Sequence, residues 1–193
     1  MDQNIEQQLK QQKEQRTITI KGLEFVPFIS KEQLDQTVTR VAGQISRDYQ
    51  GKNPVIIAIL NGAFMFVSDL VKKINIIEIE VEFCKVASYQ GTQSTEQLKK
   101  LIGLKSDIKD KDIIIVEDII DTGFTINQLL KYLKTKEPKS IKVCTLFIKE
   151  ANIKHQIQVD YIGLKIDQEF ILGYGLDYDE YARNLEDVWI LKN

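Results

Sequence analysis

Apolar, strand-like runs that alternate with helical patterns over one domain's length predict an α/β fold built on a mostly parallel sheet. Three observations carry the prediction. The run 112–116 is almost wholly Ile and Val, as a strand buried on both faces requires. Segments 55–60, 77–86 and 141–148 read as further strands, with helical patterns over 63–74 and 126–136 set between strands. The chain has 193 residues, enough for one domain that needs neither disulfide nor metal to fold.

Residues 1–16 (MDQNIEQQLKQQKEQR) are polar and low in complexity, which predicts an arm outside the core, with 17–193 as the domain itself. Ser30 followed three residues later by Gln33 predicts a capping box. Leu34, Val38, Val41 and Ile45 then follow at helical spacing, until Gly51 ends the helix and Pro54 precedes VIIAIL. Asn61 and Gly62 turn the chain into the helical stretch AFMFVSDLVKKI, and the strand after it runs into the polar stretch SYQGTQSTEQLKK. The third strand meets acids, a Thr-Gly turn and the helical run INQLLKYLKTK, and the fourth strand completes the series. The last thirty residues break this rhythm with short pieces rich in Tyr and Asp. Residues from about 165 to 193 therefore read as a small appended subdomain.

Charge and cysteine usage narrow the function. With 26 basic and 28 acidic residues the net charge is −2, and the pI is near 5.6, so no global basic field exists to hold nucleic acid. No apolar window approaches the 18 or so residues of a membrane helix, and no apolar signal segment opens the chain; a cytoplasmic protein is expected. Cys84 and Cys144 lie far apart in apolar runs, and with the single His155 they are too few soft ligands for zinc. A serine or cysteine hydrolase would need His155 as its base, and its polar surroundings offer no partner for that role.

In open α/β sheets, ligands bind beyond the carboxyl ends of the strands. Three junctions lie there: 60–62, 84–90 and 116–125. The last reads VEDIIDTGFT. Carboxylates ending a buried strand are costly unless they bind something, and Glu117 and Asp118 could accept from a sugar diol or approach a hard cation. The turn from Asp121 through Thr122, Gly123, Phe124 and Thr125 offers backbone N–H groups, two hydroxyls and the positive end of a helix, which suit a phosphate. Asp121 or Thr122 could instead simply cap the helix, but one cap does not account for three acids and two threonines. A sugar phosphate is the ligand class these residues favour. Neither a P-loop nor a dinucleotide fingerprint is present.

VEDIIDTGFT resembles the phosphoribosyl diphosphate (PRPP) motif of type I phosphoribosyltransferases, in the form found in the hypoxanthine-guanine branch. LNGAFMFVSDL, ASYQGTQST, LFIKE and EFILGYGLDYDEYARNL agree in order, so that the resemblance covers roughly residues 20–192. It implies the type I phosphoribosyltransferase fold, with a central sheet, a small hood and a mobile lid. It implies that Glu117 and Asp118 hold the ribose hydroxyls and that Asp121, near purine N7, is the acid or base. The turn 121–125 would cradle the 5′-phosphate. Leu60, Asn61 and Gly62, with a cis peptide between the first two, would bind diphosphate with Arg183. Lys149 would read the purine 6-oxo group, Phe170 stack on the base, Ile171 offer backbone contacts to the base edge, and Asp177 lie at the purine site and ligate magnesium. Glu117 and Asp118 are further candidate metal ligands, Mg²⁺ being the implied cofactor. Ser88 and Tyr89 would close the lid. The implied partners are PRPP, hypoxanthine or guanine, and further copies of the chain in a homodimer or homotetramer, with no nucleic acid or membrane.

Departures from the family pattern stand at Asn61, Ala63, Phe124 and Glu150, where many relatives carry basic residues or glycine. The implied reaction is transfer of the 5-phosphoribosyl group to purine N9, giving IMP or GMP. Rivals are a xanthine-preferring transferase, a PRPP-binding regulator without catalysis, and a magnesium phosphohydrolase. Lys149 argues against adenine, because an ammonium cannot accept from a 6-amino group.

Overall fold

The computed structural model describes residues 16–86, 101–104 and 107–192. Most of the arm 1–16 and the proposed lid pair Ser88 and Tyr89 lie outside the described residues. The chain divides into two compact units, 37–168 and 1–36 with 169–193.

The larger unit is built on a six-stranded sheet. Its strands are β3 (Val55–Leu60), β4 (Glu80–Val86), β5 (Leu101–Ile102), β6 (Asp112–Ile120), β7 (Ser140–Ile148) and β8 (Tyr161–Lys165). Their order is β5-β4-β3-β6-β7-β8, and all neighbours run parallel except β5, which pairs antiparallel with β4. Helices α2 (Phe64–Lys73) and α3 (Phe124–Lys134) follow β3 and β6. The predicted mostly parallel sheet is thus present. The sequence pattern does not announce β8, whose Gly163 sits against the Leu146 carbonyl of β7, so that a Cβ there would lie only 2.4 Å from that oxygen.

Burial explains which runs become central. Ile56, Ile57, Ile113, Ile114 and Ile115 are fully buried, each worth about 1.5–3 kcal/mol relative to exposure. The second strand starts later than predicted, at Glu80 instead of 77. Register is the reason: Glu80 pairs with Val55, the first residue of β3, so residues upstream have no strand to join, and Ile77 is fully solvent-exposed. The third strand runs longer than predicted, to Ile120 instead of 116, because β7 continues to pair with it through Ile120↔Ile148. Glu117 and Asp118 therefore stand within a strand, not after one.

The smaller unit carries the antiparallel sheet β1-β2-β10-β9, from β1 (Ile18–Ile20), β2 (Leu23–Ile29), β9 (Ile171–Leu172) and β10 (Val188–Leu191). Phe25, Leu172 and Trp189 form its buried core. Between β9 and β10 the chain turns repeatedly, with left-handed backbone at Gly173, Tyr174, Gly175, Asp179, Glu180 and Ala182. Such turns erase the periodicity that marks strands and helices. Helix α1 (Lys31–Asp48) begins in this unit and ends in the other. Its capping box forms as predicted: the Ser30 N–H donates to Gln33 Oε1 at 2.9 Å and the Gln33 N–H to Ser30 Oγ at 3.4 Å.

Cys84 and Cys144 are free and buried. Burial, and secondarily the charge of Glu117, pushes the Cys84 thiol up to about 12, and burial pushes Cys144 well above the ordinary thiol range. Thiols ionise more readily in the unfolded chain, so their contribution to stability is complete below the unfolded thiol pKa and is lost as pH rises through it toward about 12. Iodoacetamide at pH 8 is accordingly expected to leave both thiols unmodified in the folded protein and to label both in denaturant, as read by mass spectrometry. Rapid labelling of the native protein would contradict the burial.

Candidate active site

Strand order sets the location of the site. From β3 the sheet extends one way to β4 and the other way to β6, so the topological switch point lies between β3 and β6. These two strands pair only from Val55↔Ile113 to Ala58↔Val116. Beyond that point β3 continues with β4 and β6 with β7. A crevice opens where the first acid appears.

Two loops meet at this crevice. After β3 the Leu60–Asn61 peptide is cis, as the resemblance implies. Gly62 then passes so close to β6 that a Cβ would lie 1.5 Å from Asp118 Oδ2. A side chain at 62 would require the Asp118 carboxylate to swing aside, so glycine is the residue that leaves this arrangement undisturbed. Asp118 Oδ1 accepts from the Ile119 N–H at 2.8 Å. On the β6 side, Glu117 and residues 119–126 line a hollow of ≈ 110 Å³. The structure thus brings Glu117 together with Asp121, Thr122, Gly123, Phe124 and Thr125, and brings Asp118 together with Gly62.

The hollow has the character of an anion cradle. Gly123, with φ +78°, turns the chain into α3, and no side chain caps that helix. Its opening N–H groups lack intrahelical partners and carry the positive end of the helix dipole. The first helical bond runs from the Asn127 N–H to the Gly123 carbonyl at 3.0 Å, and the Phe124 N–H makes only a 3.4 Å contact with Thr122 Oγ1. Asp121 is not the cap; it accepts from Asn152 Nδ2 at 2.8 Å. A Cβ at Gly123 would come within 2.9 Å of Ile157 Cδ1, so this glycine also serves close packing.

Glu117 is the most strongly perturbed acid. Its Oε2 is shut off from solvent and has no hydrogen-bond partner. Burial, reinforced by the Asp118 charge, pushes its carboxyl well above the usual carboxylate range. Such a group is satisfied by a hydroxyl donor or a hard cation. Among the described residues no cluster of three or more Asp, Glu, His or Cys side chains forms a metal cage. Hard oxygen donors with one oxygen unpartnered fit magnesium, which keeps several waters and is held by one or two carboxylates plus a phosphorylated substrate.

Lys149 directly follows β7, its N–H donating to the Ile120 carbonyl at 2.9 Å. Glu150 pairs with Lys165 at 2.8 Å. In the smaller unit, Ile171 is buried in β9, and Phe170, 43% exposed, packs edge-on against Tyr178 with centroids 5.6 Å apart. Asp177 and Arg183 are brought together: Arg183 Nη2 lies 2.7 Å from Asp177 Oδ1, while the Glu180 N–H donates to Asp177 Oδ2 at 2.8 Å. Arg183 also donates to the Gly175 carbonyl at 2.9 Å and pairs with Glu180 at 3.1 Å, and its Nε is buried without a partner. Sequence reasoning missed Asn152, which lies 31 residues from Asp121 and carries no motif of its own.

The phosphoribosyl transferase domain family matches residues 30–179. The chain belongs to that family. Within it, a hypoxanthine-guanine phosphoribosyltransferase of Staphylococcus aureus is 38% identical over 166 residues, covering 86% of this chain and 92% of that protein. The crystal structure of a Bacillus anthracis hypoxanthine-guanine phosphoribosyltransferase, with a HEPES molecule in its active site, superposes with a TM-score of 0.77 at 37% identity, covering 86% and 96% of the two chains. The bifunctional TilS/HprT protein of Listeria monocytogenes is 36% identical over the same length, but this chain spans only 26% of it. These similarities put the chain on the hypoxanthine-guanine branch of the phosphoribosyltransferases.

The Gly62–Asp118 approach yields a test. Gly62→Ala has to push the Asp118 carboxylate or the loop aside, while the sheet core is untouched. Phosphoribosyl transfer is expected to fall at least tenfold, with thermal unfolding within a few degrees of wild type. Wild-type kinetics in this variant would show that the close approach is dispensable.

Proposed function

We propose that this chain transfers the 5-phosphoribosyl group of PRPP to N9 of hypoxanthine or guanine, releasing diphosphate and forming IMP or GMP for purine salvage. The observation that carries the reading is the β6–α3 junction, where an unpartnered buried carboxyl oxygen and an uncapped helix start line one hollow at the switch point. Family membership supplies the acceptor class.

Each group then has a task its chemistry suits. The amides of the turn 121–125, with the hydroxyls of Thr122 and Thr125, bind the 5′-phosphate. Glu117 and Asp118 accept from the ribose hydroxyls and stabilise positive charge as it develops at C1′. The backbone of Leu60, Asn61 and Gly62 meets the diphosphate, as does Arg183. The chemistry that bound magnesium supplies is neutralisation of the departing diphosphate's charge, and Glu117, Asp118 and Asp177 are the residues that would hold it. Asp121 handles the proton at purine N7. Lys149 donates to the 6-oxo group, Phe170 stacks on the ring, Ile171 offers its backbone to the base edge, and Ser88 and Tyr89 close over the site to exclude water.

Two outcomes are expected. Asp121→Asn should lower turnover by about 10²–10⁴-fold with PRPP affinity largely kept, since the side chain moves a proton and carries no phosphate. Turnover within a few-fold of wild type would remove Asp121 from the chemistry. The second outcome concerns the base. Adenine presents an N–H where Lys149 needs an acceptor, and mismatches at polar readout sites can reach about 10⁴–10⁵ in specificity. Wild type should strongly prefer hypoxanthine and guanine over adenine. Lys149→Ala should narrow that gap, while Phe170→Ala should weaken all bases by about 1–3 kcal/mol. A kcat/KM matrix of the three proteins against the three bases decides it; equal use of adenine and hypoxanthine by wild type would overturn the 6-oxopurine reading.

A further inference from the structure

The turn after β7 does more than carry Lys149. Its residues 150–152 form a short 3₁₀ turn, closed by the Asn152 N–H donating to the Lys149 carbonyl at 2.9 Å. From this turn the Asn152 side chain reaches the residue just past β6, where Nδ2 donates to Asp121 Oδ1 at 2.8 Å. The amide cannot be reversed without loss. An ionised carboxylate only accepts, so the nitrogen must face Asp121, and the oxygen then faces Gln168, whose Nε2 donates to Asn152 Oδ1 at 3.2 Å.

Asp121 is exposed and stands where the chain leaves β6, so packing does not hold its side chain. The backbone on either side of it is tied to the same segment as Asn152. The Lys149 N–H donates to the Ile120 carbonyl at 2.9 Å, and the Lys154 N–H to the Thr122 carbonyl at 3.0 Å. One segment, 149–154, therefore fixes the backbone around Asp121, carries Lys149 and supplies the side-chain donor that selects the direction of the carboxylate.

We propose that Asn152 is a positioning residue for Asp121, its amide oriented by Gln168, so that the carboxylate is aimed before the purine arrives. The inference rests on the reading of Asp121 as the group that handles the purine proton. Asn152 touches no substrate in this scheme; it removes the carboxylate's freedom to rotate away.

The test is steady-state kinetics of the full chain with PRPP, magnesium and hypoxanthine. Asn152→Ala is expected to lower kcat about ten- to hundredfold while KM for PRPP stays within about twofold. Asn152→Asp keeps the side-chain shape without the N–H donor and should fall at least as far, which separates loss of the bond from loss of fold. Gln168→Glu should also lower kcat, because a carboxylate at 168 accepts from Asn152 Nδ2 and draws the amide away from Asp121. The double variant Asp121→Asn/Asn152→Ala should be no slower than Asp121→Asn alone, since Asn152 acts only through that carboxylate. Wild-type kcat in both Asn152 variants, with Asp121→Asn slow, would overturn the positioning role and leave the Asp121 reading standing. Fully additive losses in the double variant would overturn the route through Asp121. Wild-type kcat in Asp121→Asn would instead overturn the parent reading.

Discussion

Between Val116 and Glu117 strand β6 loses one of its two neighbours, and the site grows from the room this opens. Up to Val116 the strand is hydrogen-bonded on both edges and buried on both faces, an environment that tolerates Ile and Val and little else. Past it, β7 alone continues the ladder, so the backbone stays paired on that edge while the β3 edge is released. Acids are affordable only on that released stretch. They are also held better there than on a loop, since a paired strand fixes their direction while leaving the crevice side open. The approach of Gly62 to Asp118 belongs to the same geometry: the loop after β3 returns toward the edge that β3 has left.

The consequence for chemistry is a division between rigid and soft support. Glu117 and Asp118 take their positions from a sheet ladder anchored in the Ile core. Asp121 stands one residue beyond the strand, where the ladder no longer controls it, and its orientation passes to side-chain bonds from the segment after β7. In the proposed reaction the groups that would bear charge in one place sit on the strand, and the group that would exchange a proton sits at its end, exposed, with an amide to aim it.

Sequence reading reached the parts of this that depend on local pattern. Ser30 and Gln33 spell a cap because capping is a matter of four consecutive residues, and 113–115 spell a central strand because burial on both faces leaves no polar alternation. The extension of β6 to Ile120 was not legible, since EDII reads as a strand end unless the register of β7 is known. The same holds for the start of β4, which is set by where β3 begins. Residues 173–182 turn through left-handed backbone at non-glycine positions such as Tyr174 and Ala182, which no propensity favours. Asn152 is the clearest case at the site. Asparagine after a strand reads as turn chemistry, and only the fold brings it to Asp121.

The departures from the family pattern acquire physical meaning in the same frame. Glu150 does not bring an unpaired negative charge beside Lys149; it pairs with Lys165 on the neighbouring strand β8. Phe124, standing where many relatives carry lysine, turns its ring toward His155, with centroids 5.4 Å apart, and remains 38% exposed. Ala63, where a second glycine is common, is buried at the start of α2 with ordinary helical backbone, and its carbonyl accepts from the Val67 N–H at 2.8 Å. None of these three positions requires a positive side chain for the fold. A phosphate bound through main-chain N–H groups and a helix dipole loses the long-range attraction of a missing lysine but keeps its shape-specific contacts. Under the proposed function, the substitutions would bear on how fast an anionic substrate is drawn in more than on how it is held once there.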